Sequence, residues 1–240
     1  EDAFSASGAA VQASTDVTLD AAATLDGAID QKIDAIAGTL LASSTVTKTG
    51  AGKLTLGGAT AINLDGTVDV QAGALEIEDA FSASGAAVQA STDVTLDAAA
   101  TLDGAIDQKI DAIAGTLTAS DDITKTATGD LTLGGGTAIA LAGDVTGFNS
   151  AGDSVIFEDA VTADGVVAQT FDGLAGTLWA KNTITKTGGD LTLLGDTLIN
   201  LDGTVTGDSA VIVGDAGTTL TQIAADVTGV DVTFAKAVTA

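Results

Sequence analysis

The stretch from Lys48 to Val70, KTGAGKLTLGGATAINLDGTVDV, decides the fold. Its apolar and polar residues alternate in short bursts, which is the pattern of β-strands with one buried face. Glycine, aspartate and asparagine lie between the bursts, as in Gly57-Gly58 and Asp65-Gly66, and they allow the backbone to turn corners. We therefore expect short strands joined by tight corners. The side chains predicted to point inward, here and in a related earlier stretch, are Val17, Leu19, Leu54, Leu56, Ile62, Leu64, Val68 and Val70.

Internal repetition carries this pattern through the whole chain. Residues 1–40 recur without change as residues 78–117, an offset of 77, and a degenerate third copy opens at Glu158. A fourth copy begins near the end, where residues 232–240 resemble residues 155–163. The sequence therefore predicts one continuous structure over residues 1–240. Its repeat units are 1–77, 78–157, 158–234 and the start of a fourth at 235–240.

The third copy contains a deletion and an insertion of similar size. Gln12 pairs with Gln169 at an offset of 157, whereas residues 37–40 recur at an offset of 138, so 19 residues are missing. About 20 residues have been added between Gly203 and Phe234. A stacked structure tolerates the loss of whole coils best, since a partial coil would put every later side chain out of register. This predicts an all-β parallel β-solenoid (β-helix) with about 19–20 residues per coil and about twelve coils.

Residues 27–38 offer the best alternative to a strand. Ile29, Ile33 and Ile36 have helical spacing, and an aspartate just before them could cap a short helix. The deletion in the third copy corresponds to residues 14–32, which would cut such a helix in half. We therefore predict a strand here.

A glycine-rich motif, KTGAGKLTLGG at residues 48–58, is followed by GTV at 66–68 and AGAL at 72–75. It closely resembles the autotransporter-associated β-strand repeat and, more broadly, the filamentous-haemagglutinin-like β-helix proteins of bacterial surfaces. Weaker copies begin at Lys125 and Lys186. The resemblance implies a right-handed parallel β-helix and an extracellular or cell-surface location of the bacterial secreted type.

The composition argues against an enzyme. The chain has no His and no Cys, which removes nucleophilic triads, thiol chemistry and imidazole metal sites. Carboxylates at Asp121-Asp122, or at Glu76, Glu78 and Asp79, could form the acid pair of a β-helix that cleaves polysaccharides. Arginine is absent, and we expect these residues to be solvated turns instead. No catalytic or cofactor-binding residue is predicted.

The net charge of −25 limits the possible partners. A strongly acidic chain repels phosphate backbones and anionic lipid headgroups, so nucleic acid and membrane surfaces are poor partners. No apolar run is long enough to span a bilayer, and the first residues lack the basic start of a signal peptide, so we expect a mature piece or an internal fragment. The hydrophobic fraction of 45% predicts that the chain folds.

Calcium is a possible ligand, since acidic corners supply the oxygen atoms that this ion prefers. The nearest fragments of a calcium motif are Gly189-Asp190 and residues 214–217, and both are weak. Diffuse counter-ions are the alternative, and no metal ligand is assigned.

Two further sets of residues attract attention. Lys48, Lys125 and Lys186 occupy equivalent positions, and we expect them to pair with carboxylates of adjacent coils and to relieve the self-repulsion of the column. Threonines alternate in two segments and could template ice on a flat face, although threonine is also simply a good strand former. These threonines are Thr45, Thr47, Thr49, Thr183, Thr185 and Thr187.

Together these features predict a structural subunit or segment of an extracellular or cell-surface fibre, whose main partner is another copy of the chain. Other cell-surface components are further candidate partners. Head-to-tail and lateral assembly both remain open. The alternative is the stalk of a bacterial adhesin or autotransporter passenger whose binding site lies elsewhere. An exposed patch around Trp179 and Phe171 would favour that alternative.

Overall fold

Three parallel β-sheets run along the whole described chain. The computed structural model describes residues 3–235 and the backbone of residues 238–239, so the fourth repeat unit at 235–240 lies mostly outside the described residues. Every strand pairs in parallel with the third strand after it, and successive strands belong to the three sheets in rotation. The predicted parallel β-solenoid is therefore confirmed. The described residues contain no helix.

The strands of each sheet follow one another along the solenoid axis. Sheet A contains β1 (Phe4–Ala6), β4 (Ala23–Leu25), β7 (Val46–Lys48), β10 (Val68–Val70), β13 (Ala87–Ala90), β16 (Gln108–Ala112), β19 (Leu131–Gly135), β22 (Ser154–Phe157), β25 (Thr177–Ala180), β28 (Leu198–Leu201), β31 (Leu220–Ile223) and β34 (Val238–Thr239). Sheet B contains β2 (Ala10–Ala13), β5 (Gln31–Ala35), β8 (Leu54–Gly58), β11 (Leu75–Ile77), β14 (Val94–Leu96), β17 (Thr116–Ala119), β20 (Ala138–Leu141), β23 (Val161–Asp164), β26 (Ile184–Thr187), β29 (Val205–Gly207) and β32 (Val227–Thr228). Sheet C contains β3 (Val17–Leu19), β6 (Thr39–Ala42), β9 (Ala61–Leu64), β12 (Phe81–Ala83), β15 (Ala100–Leu102), β18 (Ile123–Lys125), β21 (Val145–Thr146), β24 (Gln169–Asp172), β27 (Leu191–Leu194), β30 (Ala210–Val213) and β33 (Asp231–Phe234).

The core is one continuous apolar column enclosed by the three sheets. All eight side chains predicted to point inward are buried, and the most exposed of them, Leu19, has only 8% of its surface accessible. Small and branched aliphatic residues fill most of the column. Two larger rings, Phe157 and Phe171, pack together with their centroids 5.0 Å apart. Inward and outward residues alternate along the strands because successive β side chains point to opposite faces.

The turns are longer than the indel predicted. Phe4 pairs with Ala23, 19 positions on, but Leu131 pairs with Val155, 24 positions on, and about 22 residues is typical. The prediction of 19–20 residues per coil is therefore wrong, because corners differ in length and the deletion reported one short turn. At about 22 residues per turn, the 233 residues from 3 to 235 form between ten and eleven turns rather than about twelve.

One sequence repeat does not contain a whole number of solenoid turns. Phe4 of β1 and Phe81 of β12 are equivalent in sequence, yet β1 belongs to sheet A and β12 to sheet C. The matching strand of the third copy, β23, belongs to sheet B, and β34 returns to sheet A. One repeat therefore contains eleven strands, or three and two-thirds turns, and each copy is rotated by one face relative to the last.

The deletion in the third copy is one whole turn, as predicted, but its boundary differs. Gln31 and Gln169 both point into the core and donate to backbone carbonyls, whereas Gln12 points outward to Asp34. The true counterpart of Gln169 is therefore Gln31, and the third copy lacks the equivalents of β2, β3 and β4. The later insertion supplies three extra strands, β30, β31 and β32, and so restores the phase.

The segment at residues 27–38 forms strand β5, as predicted. Ile33 is fully buried, whereas Ile29 and Ile36 are about half exposed at 52% and 56%. The helical spacing arises because one isoleucine lies in the strand and the other two occupy the corners on either side.

Candidate functional site

The three equivalent lysines lie inside the column and not on its surface. Lys48, Lys125 and Lys186 are 0%, 2% and 0% exposed. The prediction that they pair with carboxylates of adjacent coils is wrong, because each occupies the last inward position before a corner. An inward lysine can satisfy its amine only with core-facing carbonyl and amide groups.

In the first repeat, the amine is held by a corner carbonyl and a buried glutamine. Lys48 Nζ donates to Gly27 O at 2.7 Å and to Gln31 Oε1 at 3.0 Å. Gln31 Nε2 in turn donates to Ala6 O at 3.1 Å and to Gly8 O at 2.8 Å. The pair therefore ties three successive turns together from within.

The second repeat reproduces this arrangement on a different face. Lys125 Nζ donates to Gly104 O at 2.6 Å and to Gln108 Oε1 at 2.9 Å. Gln108 Nε2 donates to Ala83 O at 2.7 Å and to Gly85 O at 2.9 Å. Because β7 belongs to sheet A and β18 to sheet C, the two clusters point into the column from different sides.

The third repeat keeps the residues but breaks their contact. Lys186 Nζ donates to Gly165 O at 2.6 Å and to Thr187 O at 3.4 Å. Gln169 Nε2 still donates to two carbonyls, but its Oε1 is buried and has no hydrogen-bond partner in the described part of the chain. A spacing of 17 residues between glutamine and lysine is common to all three copies and is the sequence signal that identifies these pairs.

Burial shifts the titration of the inner lysines. Removal from water lowers the pKa of Lys48, Lys125 and Lys186, because a low-dielectric surrounding disfavours the ammonium form. Nearby carboxylates, such as Asp30 beside Lys48, oppose this shift without overcoming it. At a given pH, a larger fraction of these lysines is therefore in the neutral amine form than for a lysine exposed to water.

Among the described residues, lysines on the outer surface of the column (the outer lysines) form ion pairs with carboxylates. Such pairs had been expected of the three buried lysines (the inner lysines). Lys32 lies 2.6 Å from Glu78, and Lys53 lies 2.5 Å from Glu76. Hydrogen bonding to Glu78 raises the pKa of Lys32. In a second cluster, on another face, Lys109 pairs with Asp111 and Glu158, and Lys181 also pairs with Glu158. Such half-exposed pairs are individually weak, so they organise the surface more than they stabilise it.

Aspartates at the corners join each turn to the next. Asp93 Oδ1 accepts a hydrogen bond at 2.9 Å from the backbone N–H of Thr116, which lies one turn further on. Such bonds satisfy amide groups that the corners leave outside the ladders. The same type of bond is formed by Asp16, Asp30, Asp79, Asp107, Asp122, Asp130, Asp144, Asp159 and Asp190.

The carboxylates considered as a catalytic pair are engaged in these structural roles. Glu76 and Glu78 bind outer lysines, and Asp79 accepts the N–H of Gly58 at 3.0 Å. Asp121 Oδ1 accepts the adjacent backbone N–H at 2.8 Å, and Asp122 holds the next turn. The geometry assigns each of them to a corner or an ion pair.

Carboxylates come closest to a cation-binding arrangement at the corner between sheets C and A. Asp172, Asp196 and Asp215 line a hollow of about 280 Å³. Burial, followed by repulsion from the other two carboxylates, raises the pKa of Asp172. The described residues contain no group of three side chains with metal-ligand geometry. The aspartates of the fragments weighed as calcium motifs have protein partners: Asp190 accepts from the Ser209 hydroxyl of the next turn, and Asp215 accepts from the Gly217 N–H in its own loop.

The predicted aromatic patch is only half present. Phe171 is fully buried, whereas Trp179 lies on the outer face of sheet A beside Ile156. Trp179 Nε1 donates to Asp202 at 2.7 Å, and Lys181 Nζ lies 4.7 Å from the indole centroid. The indole is therefore held by neighbouring turns.

The two threonine segments lie on different faces. Thr47 belongs to sheet A, but Thr185 belongs to sheet B, so they do not form one surface. On sheet B, Thr185 instead continues a row that Ala140 interrupts once. The threonines of this row are Thr95, Thr118, Thr162, Thr185, Thr206 and Thr228.

Comparisons of the chain with protein-family models, with curated proteins and with solved structures gave no match. Within the described residues, no helix has the length and apolar character needed to cross a bilayer.

Proposed function

We propose that this chain is a structural segment of an extracellular or cell-surface fibre, in which stacked β-coils form a rigid scaffold. The observation that carries the proposal is the continuity of the three sheets, which contain 12, 11 and 11 strands with no break in their order. Their hydrogen bonds run along the column axis, so extension of the column must stretch all three ladders together.

Contacts between turns support a load-bearing role. Inner lysine–glutamine pairs, corner aspartates and outer ion pairs all join residues about one turn apart or more. Links of these kinds oppose the local opening of single coils, since corner bonds and ion pairs hold coils from outside and the lysine clusters hold some of them from inside as well. Rigid length is the property that such a molecule supplies.

The proposal includes right-handed winding and membership of the autotransporter-associated β-strand repeat proteins, on the strength of the motif at residues 48–58. A second copy of the chain is the proposed partner. Parallel strands stacked along one axis are compatible with axial continuation of the sheets by another solenoid. No catalytic activity is proposed, because the candidate carboxylates have structural partners.

The stalk of an adhesin is the alternative function. The outward-facing Trp179, next to Ile156 and Lys181, is the observation that favours it. An indole on a flat sheet is a common contact for a partner molecule. In that case the column would still supply length, and recognition would lie elsewhere.

Cryo-electron microscopy of the native material tests the fibre. With a strand spacing of about 4.8 Å, three and two-thirds turns predict a rise of roughly 18 Å and a rotation of about 120° per repeat. Continuous filaments with this symmetry are the expected result. Discrete particles carrying a second domain would contradict the fibre and favour the adhesin stalk.

A further inference from the structure

We propose that two of the buried lysines form amide bonds with the glutamines beside them, joining Lys48 to Gln31 and Lys125 to Gln108 inside the folded core. The inference goes beyond the proposed function, since it assigns the chain a covalent self-modification. Its outcome does not depend on whether the chain forms a fibre.

The reacting groups are already in contact and shielded from water. Lys48 Nζ lies 3.0 Å from Gln31 Oε1, and Lys125 Nζ lies 2.9 Å from Gln108 Oε1. None of the four side chains is more than 2% exposed. Water, which would compete with the amine for the glutamine carbonyl carbon, is therefore kept away from both pairs.

Contacts outside each pair fix the two groups relative to one another. Gly27 O holds the Lys48 amine, while the carbonyls of Ala6 and Gly8 hold the amide nitrogen of Gln31. The second pair has the same set of contacts through the corresponding carbonyls of the next repeat. Holding two reactants in this way replaces a bimolecular encounter by a reaction within one molecule.

The reaction is a transamidation that consumes no other reagent. Nζ of the neutral lysine bonds to Cδ of the glutamine, the Cδ–Nε2 bond breaks, and Nε2 takes a proton from Nζ and leaves as ammonia. A lysine that begins as ammonium gives ammonium as the leaving molecule, so charge is conserved. Burial lowers the pKa of both lysines and so favours the amine form that attacks.

The third copy serves as an internal control. Lys186 and Gln169 have the same spacing of 17 residues, but Lys186 Nζ donates to the carbonyls of Gly165 and Thr187. The amine is therefore directed away from the glutamine, whose Oε1 stays unpaired. We expect this pair to remain open, so two bonds form and not three.

Intact mass spectrometry of the denatured full chain tests the inference directly. The expected mass is lower than the sequence mass by two molecules of ammonia. After trypsin digestion, Lys48 and Lys125 should resist cleavage and appear in branched peptides linked to Gln31 and Gln108. An unshifted mass, with cleavage after both lysines, would overturn the proposal.

Single substitutions locate the bonds. Lys48→Met and Lys125→Met should each reduce the deficit to one ammonia molecule, whereas Lys186→Met should leave both in place. A deficit that persists in the double variant Lys48→Met/Lys125→Met would show that the loss arises elsewhere and would contradict the assignment. Because each single variant keeps the other pair intact, a remaining deficit of one ammonia molecule also shows that the variant has folded.

Discussion

A lysine inside a β-solenoid requires acceptors that the strands cannot supply, because strand carbonyls are already used in the ladders. The corners provide them. Gly27, Gly104 and Gly165 each lie in a corner 21 residues before a buried lysine, and each offers its carbonyl to that lysine. The inward lysine of each repeat thus depends on the geometry of the preceding corner.

The titration of Lys186 gives a prediction about pH. Its folded-state pKa is lowered, so the folded chain binds this proton less tightly than the unfolded chain does. Folding stability contributed by this residue should therefore rise as pH increases through the lowered pKa and level off above about 10.4, the usual lysine value. Compared with Lys186→Met, the unmodified chain should gain stability from pH 7 to 10 in urea unfolding. Parallel pH profiles for the two proteins would contradict the burial of this amine.

Corner aspartates explain much of the acidic composition at the level of single residues. The sequence suggested solvated turns, yet ten aspartates accept backbone N–H groups of a neighbouring turn. Their side chains are short enough to reach from corner to corner, which glutamate would overshoot. The acidic residues therefore belong to the architecture.

Removal of one corner bond should have a measurable cost. Asp93→Ala leaves the N–H of Thr116 without its partner and should reduce the free energy of unfolding by about 0.5–1.5 kcal/mol. Asp20→Ala, at an exposed corner position with no such bond in the described structure, is the matched control. Thermal unfolding should separate the two variants, and equal melting temperatures would argue against the corner bond.

At the scale of elements, the strand and its corner form the unit of construction. Eleven strands in a repeat of 77 residues give about seven residues per strand and corner. Corners vary in length, but each strand keeps its inward alternation, so turns of 19 and 24 residues can stack in one column. The rigid part is the strand, and the variable part is the corner.

Deletion of one complete turn tests this view. Removal of residues 89–107 joins Val88 to Gln108 and copies the natural deletion of the third repeat. The protein should remain folded, and Gln108 should donate to the carbonyls of Leu64 and Gly66. These two residues correspond to Leu141 and Gly143, whose carbonyls accept from Gln169 in the third copy. Circular dichroism should show a cooperative melt.

A shorter deletion is the control for the turn. Removal of residues 89–98 takes away ten residues and leaves the following strands beside the wrong neighbours, so the melting temperature should fall well below that of the whole-turn deletion. Similar melting of the two proteins would contradict the idea that turns are lost as units.

Element-level features could be predicted where the side-chain alternation is strong. The inward leucines and valines and the parallel solenoid follow from that alternation, whereas the strand within residues 27–38 follows from the deletion that would cut a helix in half. The number of residues per turn could not be predicted, because a single deletion gives the length of only one turn. In addition, Gln12 and Gln31 align equally well with Gln169, so the sequence does not fix the boundary of the deletion. The inner lysines were missed because charge suggests exposure, and only three-dimensional packing shows which corner carbonyls face the core.

For the whole molecule, charge is the dominant long-range term. The chain carries 33 acidic residues against 8 lysines, and three of the lysines are buried. Repulsion among like charges on a column is only partly relieved by the outer ion pairs. The fold tolerates this because its hydrogen bonds and apolar core lie inside the charged surface.

Salt should therefore stabilise the column. Screening shortens the reach of charge to about 8 Å at physiological ionic strength, which weakens carboxylate repulsion more than it weakens the few outer pairs. We expect the melting temperature to rise with sodium chloride concentration in calorimetry. A fall in melting temperature would mean that the outer ion pairs dominate.

Because one repeat does not contain a whole number of turns, successive repeats are related by an approximate three-fold screw. The same substitution made in each repeat would lie on sheets A, C and B in succession, so no face of the column carries the motif of every repeat. A straight neighbour lying along one side would meet the same motif only at every third repeat. A partner that follows successive motifs must instead wind around the column, and long partners would be selected by their helical path.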